Sequence, residues 1–314
     1  MVTLRDTSRT HPEDPMVTPS SADEFAFLPD QARELGVVVA PASRDAVALG
    51  DGRTLSALRY GRGEVRVAFL HGAGLNAHTW DRTALALGEP AVALDLPGHG
   101  ESSWRADADY APSALAPDAA RAIEAWASAP AVVVGHSLGG LAAIALAAER
   151  PDLVSHLVLV DIAPGAGSDG AAGLRAFYER LAFDSIDDVL DHAQAFGLGG
   201  DRDQARRGVL LNTRTRADGS VEWKHHMARL MSPAAPDERP AATDHGALRD
   251  QLAAIAAPVT LIAGTRGFLG EGDLAAFRAA RPGDAVHLID APHNVQDVAP
   301  TDIARVIRAI LGRA

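Results

Sequence analysis

Apolar and polar positions change period several times along this chain, and each change marks an element. Ala46 to Leu49, the turn Gly50-Asp51-Gly52 and Leu55 to Tyr60 predict a β-hairpin. Val65 to Leu70, Ala91 to Leu94, Ala131 to Val134, Leu157 to Val160, Pro258 to Ala263 and Ala285 to Ile289 are short apolar runs, as in strands covered on both faces. Between them the spacing turns helical: over Pro112 to Ser128, after Ser137, over Gly272 to Ala280 and over Thr301 to Leu311. In the last of these Ile303, Val306, Ile307 and Ile310 share one face. Strands alternating with helices predict an α/β fold: a mostly parallel eight-stranded sheet, helices on both faces, the hairpin at one edge.

Two stretches stand outside this rhythm. Residues 1–44 read as an N-terminal extension, partly disordered. Thr10 to Glu24 is rich in Pro, Ser, Thr and acids and lacks the hydrophobic core of a secretory leader. Phe25, Phe27, Leu28 and Asp30 to Leu35 predict a short helix packed on the body. Residues 165–255 carry helical stretches and loops but no convincing strand. About ninety residues are too many for a loop, so a helical cap, or lid, is expected to be inserted after the sixth strand. The core is then 45–164 and 256–314.

Composition narrows the chemistry. The chain has 314 residues, 47% of them hydrophobic, enough for a sizeable core. Its net charge is −12 and no basic cluster appears, which argues against nucleic acid and anionic membranes as partners. No apolar run approaches the ~20 residues of a membrane span. There is no cysteine, hence no disulfide, thiolate metal site or catalytic thiol. That fits a reducing, cytoplasmic setting. The histidine spacings match no metal motif, and no cofactor is expected.

The chemistry is expected where strands end. Val132-Val133-Val134-Gly135-His136-Ser137-Leu138-Gly139-Gly140 reads as a strand, a sharp turn and a helix, with Ser137 lifted at the turn as a nucleophile. The plain alternative is a serine that only caps the helix. A serine hydroxyl needs a base, an acid that orients the base, and N–H donors for the developing oxyanion. His293, just past the last strand, is the candidate base. The backbone N–H groups of Ala73, in His71-Gly72-Ala73-Gly74, and of Leu138 are the candidate oxyanion donors. For the acid, Asp161 ends the sixth strand, and Glu271 and Asp273 follow the seventh. His71 and His99 lie in glycine turns and read as structural, although His71 also stands among the candidate pocket residues. His136 is expected to point away from Ser137.

His71-Gly72-Ala73-Gly74, Asp95-Leu96-Pro97-Gly98-His99-Gly100, Gly135-His136-Ser137-Leu138-Gly139-Gly140 and the late His293 together resemble the α/β-hydrolase superfamily, over about residues 45 to 314. The resemblance implies a Ser–His–acid hydrolase with a helical lid. In the superfamily the usual acid lies three residues past a glycine after the seventh strand; that place here is Gly267. Some relatives carry the acid after the sixth strand, which matches Asp161. Asp161 is therefore taken first, then Asp273 as its alternative, then Glu271.

The expected function is a serine carboxylesterase acting through an acyl-enzyme on small to medium apolar esters. Phe177, Phe183, Trp223, Met227 and His71 are candidate pocket residues, most of the cap residues being expected in the cap's own core. Alternatives on the same triad are C–C bond, lactone or amide hydrolysis and perhydrolysis. From another class comes a ligand-binding receptor without turnover. The sequence does not specify oligomeric state.

Overall fold

The computed structural model describes residues 24–166, 175–196, 200–233 and 242–312. Most of the stretch expected to be disordered lies outside these.

The sheet has eight strands: β1 (Ala42–Ala48), β2 (Thr54–Tyr60), β3 (Val67–Leu70), β4 (Ala91–Asp95), β5 (Ala131–His136), β6 (Val154–Val160), then, late in the chain, β10 (Val259–Arg266) and β11 (Ala285–Pro292). Their spatial order is β1-β2-β4-β3-β5-β6-β10-β11. The first two joins are antiparallel and the rest parallel. The apolar runs are explained by burial on both faces. Along β5, Val133 joins one core cluster, while Val132 and Val134 join the other.

Each cluster is closed by helices. On one side lie α3 (Pro112–Trp126) and α4 (Leu138–Glu149), through Leu115, Ile123, Ile144 and Leu146. On the other lie α2 (Asp81–Leu87) and the closing helix α10 (Pro300–Leu311), through Ala84, Leu87, Ile303 and Ile307. Truncating a fully buried isoleucine such as Ile307 to alanine should cost about 2–5 kcal/mol. Sequence periodicity did not reveal α2 or the 3₁₀ turn Ala77–Trp80 before it. Trp80 is held there by stacking on Phe69, ring centroids 4.8 Å apart.

The N-terminal helix α1 (Leu28–Leu35) packs Leu28 and Ala32 against Leu85. Glu24, just before it, accepts hydrogen bonds from Arg44 and lies 3.3 Å from His78 Nε2. Arg44 also reaches the buried Asp95, 2.6 Å away. Asp95 in turn accepts the Ala77 and Glu101 N–H groups at 2.8 and 3.1 Å. Asp95 is thereby held from β1, from the turn at Ala77 and from its own loop at Glu101.

The stretch after β6 departs from expectation in two ways. It is not free of strands: β7 (Ala182–Phe183), β8 (Thr213–Thr215) and β9 (Val221–Trp223) form a small antiparallel sheet in the order β7-β9-β8. Strands of two or three residues are too short to register as an alternation. With α5 (Ile186–Ala195), α6 (Arg202–Asn212) and α7 (Met227–Met231) they enclose their own core of Phe177, Tyr178, Phe183, Val189, Leu190 and Trp223. Secondly, α8 (His245–Ala254) buries Leu248 and Leu252 in the main cluster, packed on α4. The separately packed part of the insertion therefore ends before α8, not at 255.

Candidate active site

Ser137 stands between the last residue of β5 and the first of α4, at φ 50° and ψ −120°. That backbone region is costly for a side-chain-bearing residue and persists only when the surroundings enforce it. The surroundings do so by close approach: a Cβ on Gly139 would lie 2.5 Å from the carbonyl oxygens of Leu70 and His71. The Ser137 side chain makes no capping hydrogen bond to α4, so the turn presents a serine that the helix does not use.

Asp161 follows β6, also with positive φ (50°), and is fully buried. Parallel pairing of β6 with β10 carries it to the end of β10. There its Oδ1 accepts the Gly264 N–H at 2.9 Å and its Oδ2 the Phe268 N–H at 2.8 Å. Oδ2 also lies 2.7 Å from Nδ1 of His293, which sits one residue past β11. A carboxylate only accepts, so His293 carries a proton on Nδ1, and Nε2 is the ring nitrogen turned away from Asp161. The Phe268 ring lies flat on the imidazole, centroids 3.5 Å apart.

The other acid candidates are elsewhere. The Asp273 carboxylate accepts the Gly270 N–H at 2.9 Å, capping α9 (Glu271–Ala280), whose first residue is the exposed Glu271. Gly267, at the superfamily's usual acid position, is filled from the other side: a Cβ there would lie 2.2 Å from both carboxylate oxygens of Asp161. The two acid positions compete for one volume.

Ala73 is exposed between buried Gly72 and Gly74. Leu138 is the first residue of α4, and a helix leaves its first N–H groups without intrahelical acceptors. His136 does not simply turn away from the site: its ring packs against His293, centroids 4.6 Å apart.

His71, one of the candidate pocket residues, is fully buried, with Nε2 accepting the Leu96 N–H at 3.0 Å and Nδ1 donating to Gly72 O at 2.8 Å. Both nitrogens serve the backbone, so its place is in the frame of the turn. His99, His225 and His71 are neighbours, and burial holds all three below the ordinary histidine range, His225 down to about 3. They are neutral at physiological pH. No group of three or more residues able to hold a metal occurs among the described residues.

Phe177, Phe183 and Trp223 are buried in the insertion's core, and Met227 packs partly buried against the main one. A cavity of about 220 Å³ in the insertion is bounded by Trp104, Leu181, Trp223, His225 and Arg216; Ser137 and His293 do not line it. Two contacts at the site carried no sequence signal: the Phe268 ring over His293 and the His136 ring beside it. Each joins residues 25 or more positions apart.

A strained serine between strand and helix, with an Asp–His pair at the ends of parallel strands, is the architecture of the α/β-hydrolase class. The sequence model of the alpha/beta hydrolase family matches residues 67–306, and the chain belongs to that family. Esterase Rv0045c of Mycobacterium tuberculosis is 37% identical over 299 residues, covering 92% of this chain and 96% of its own. A solved structure of that esterase superposes with a TM-score of 0.80 at 36% identity, covering 92% of this chain and 99% of that one. Lipase LipV of the same organism is 32% identical over 269 residues, 81% of this chain and 96% of its own.

Proposed function

We propose that the protein hydrolyses small to medium, apolar carboxylic esters, with Ser137 as nucleophile, His293 as base and Asp161 as the orienting acid. The observation that carries this reading is the 2.7 Å contact between His293 Nδ1 and an Asp161 carboxylate held by two backbone N–H groups. The relatives named esterase and lipase support the choice of ester bonds.

In this reading Ser137 Oγ attacks the ester carbonyl carbon and its proton passes to His293 Nε2. Asp161 accepts from Nδ1–H and stabilises the imidazolium. The carbonyl oxygen, now negative, is held by the N–H groups of Ala73 and Leu138, aided by the positive end of α4. Collapse breaks the bond to the alcohol oxygen, which takes the proton from His293. Water then attacks the acyl-enzyme, giving its proton to His293, and the acid leaves with Ser137 restored. The packed insertion serves as cap over these strand ends.

The test is a panel of p-nitrophenyl esters, lactones and anilides with wild type and Ser137→Ala. Ester turnover lost in Ser137→Ala is the expected result. A protein that cleaves only anilides or lactones, or a Ser137→Ala variant of full activity, overturns the reading.

A further inference from the structure

The turn after β3 is held from two separate parts of the molecule. From the core, Gly72 O accepts from His71 Nδ1 at 2.8 Å and from the Leu75 N–H at 3.2 Å. The Gly74 N–H donates to His99 Nε2 at 3.1 Å. From the insertion, Asn212, the last residue of α6, donates its side-chain N–H to Gly74 O at 2.6 Å. The Tyr178 hydroxyl closes over the same glycine, 2.7 Å from where a Cβ on Gly74 would be.

Asn212 is itself oriented. Its Oδ1 accepts from Asn76 Nδ2 at 3.2 Å, and Asn76 Nδ2 also donates to Leu211 O at 3.0 Å. Asn76 is fixed in turn, its Oδ1 accepting the His78 N–H at 2.9 Å. The Asn212 carbonyl accepts the Lys224 N–H at 2.9 Å, tying the end of α6 to the segment after β9. The amide that touches Gly74 thus moves with the insertion.

A trans peptide directs its N–H opposite its C=O. The two bonds on Gly72 O therefore aim the Ala73 N–H to the opposite side of that peptide; the residue itself is exposed. Gly74, at φ 72°, is the pliable link of the turn. Its N–H is fixed from the core, and its carbonyl from the insertion.

We propose that Asn212 is a positioning residue for the oxyanion donor: by gripping Gly74 O, the insertion holds the Ala73 N–H in place. Seating of the insertion and completion of the oxyanion hole are then one event. The proposal rests on the ester-hydrolase reading above. It requires that a loss at Asn212 be felt where negative charge develops, not where the ground-state ester binds.

The test compares wild type with Asn212→Ala, which removes the donor, and Asn212→Asp, which keeps the shape but offers no N–H to the carbonyl. Expected is a fall of about 10- to 100-fold in kcat, with KM within about threefold of wild type. Affinity for an aryl trifluoromethyl ketone, which forms a tetrahedral adduct on a serine, should fall in parallel, while affinity for the product acid stays unchanged. Thermal melting identifies any variant that fails to fold, and the other variant then decides. A folded variant with wild-type kcat, or a loss carried by KM alone, overturns the proposal. A wild-type protein with no ester turnover overturns the functional reading as well, so the two failures are distinct.

Discussion

His136 Nε2 stands 3.1 Å from the carbonyl oxygen of His293. A carbonyl only accepts, so the proton of the His136 ring is on Nε2; Nδ1 is buried without a partner. Burial, then the neighbouring His293, holds His136 well below the ordinary histidine range, and the ring stays neutral. The residue before the proposed nucleophile thus grips the loop that carries the proposed base. His136→Gln places an amide N–H at similar reach and should keep most of the turnover. His136→Leu should lower kcat by about tenfold to a hundredfold, the cost of a base displaced by a fraction of an ångström to one ångström. Steady-state kinetics decide; full activity in the leucine variant would reduce the contact to packing.

Asp161→Asn should lower kcat on the order of 10⁴-fold, the scale known for loss of the orienting carboxylate in a serine hydrolase. Asp273→Asn should leave turnover intact and cost only ~1 kcal/mol of stability, as for a helix cap. Gly267→Ala removes no functional group, yet its methyl would meet the Asp161 carboxylate, so activity should fall sharply. Kinetics and melting curves on the three variants check this. An active Asp161→Asn beside an inactive Asp273→Asn would reverse the assignment.

His78 supplies a pH signature of stability. Its ring lies 3.0 Å from Asp81 and 3.3 Å from Glu24. Burial opposes its charge, but Asp81 and then Glu24 outweigh burial and raise its pKa to about 9. An unfolded histidine titrates near ~6.5. The folded state therefore holds the proton more tightly. The resulting stability is complete below the unfolded value and is lost as pH rises through the folded one. Wild type should lose melting temperature between neutral pH and about pH 9, and His78→Gln should lose less over that window. Calorimetry giving parallel curves for the two proteins would remove His78 as the source.

The insertion should govern selectivity. Beyond Asn212, it is seated by the His226 N–H on Gly98 O at 2.8 Å and by Trp104 Nε1 on Lys224 O at 3.1 Å. Replacing residues 167–242 with a short linker leaves α8 in the main core. The shortened protein should fold and lose the wild-type preference across esters of increasing acyl length. An unchanged preference profile would place selectivity elsewhere.

The sheet was legible because its strands are buried on both faces, and Ser137 and His293 because glycine spacing and chain order mark strand ends. Asp161 was legible by its strand end and by the glycine standing at 267. Contacts between distant segments were not. Nothing local to Phe268 announces that its ring covers His293, and nothing local to Asn212 points to Gly74. The strands β7 to β9 escaped notice because two or three residues cannot display a period. The helix α8 was assigned to the cap because its apolar residues match either core equally well.

The crowding of Gly267 by Asp161 also constrains descent. A lineage moving its acid between these strand ends cannot do so in one substitution. An aspartate arriving at 267 first would collide with the carboxylate already present; one lost from 161 first would leave His293 Nδ1 without its carboxylate partner. Either single change should therefore lower the activity of this protein.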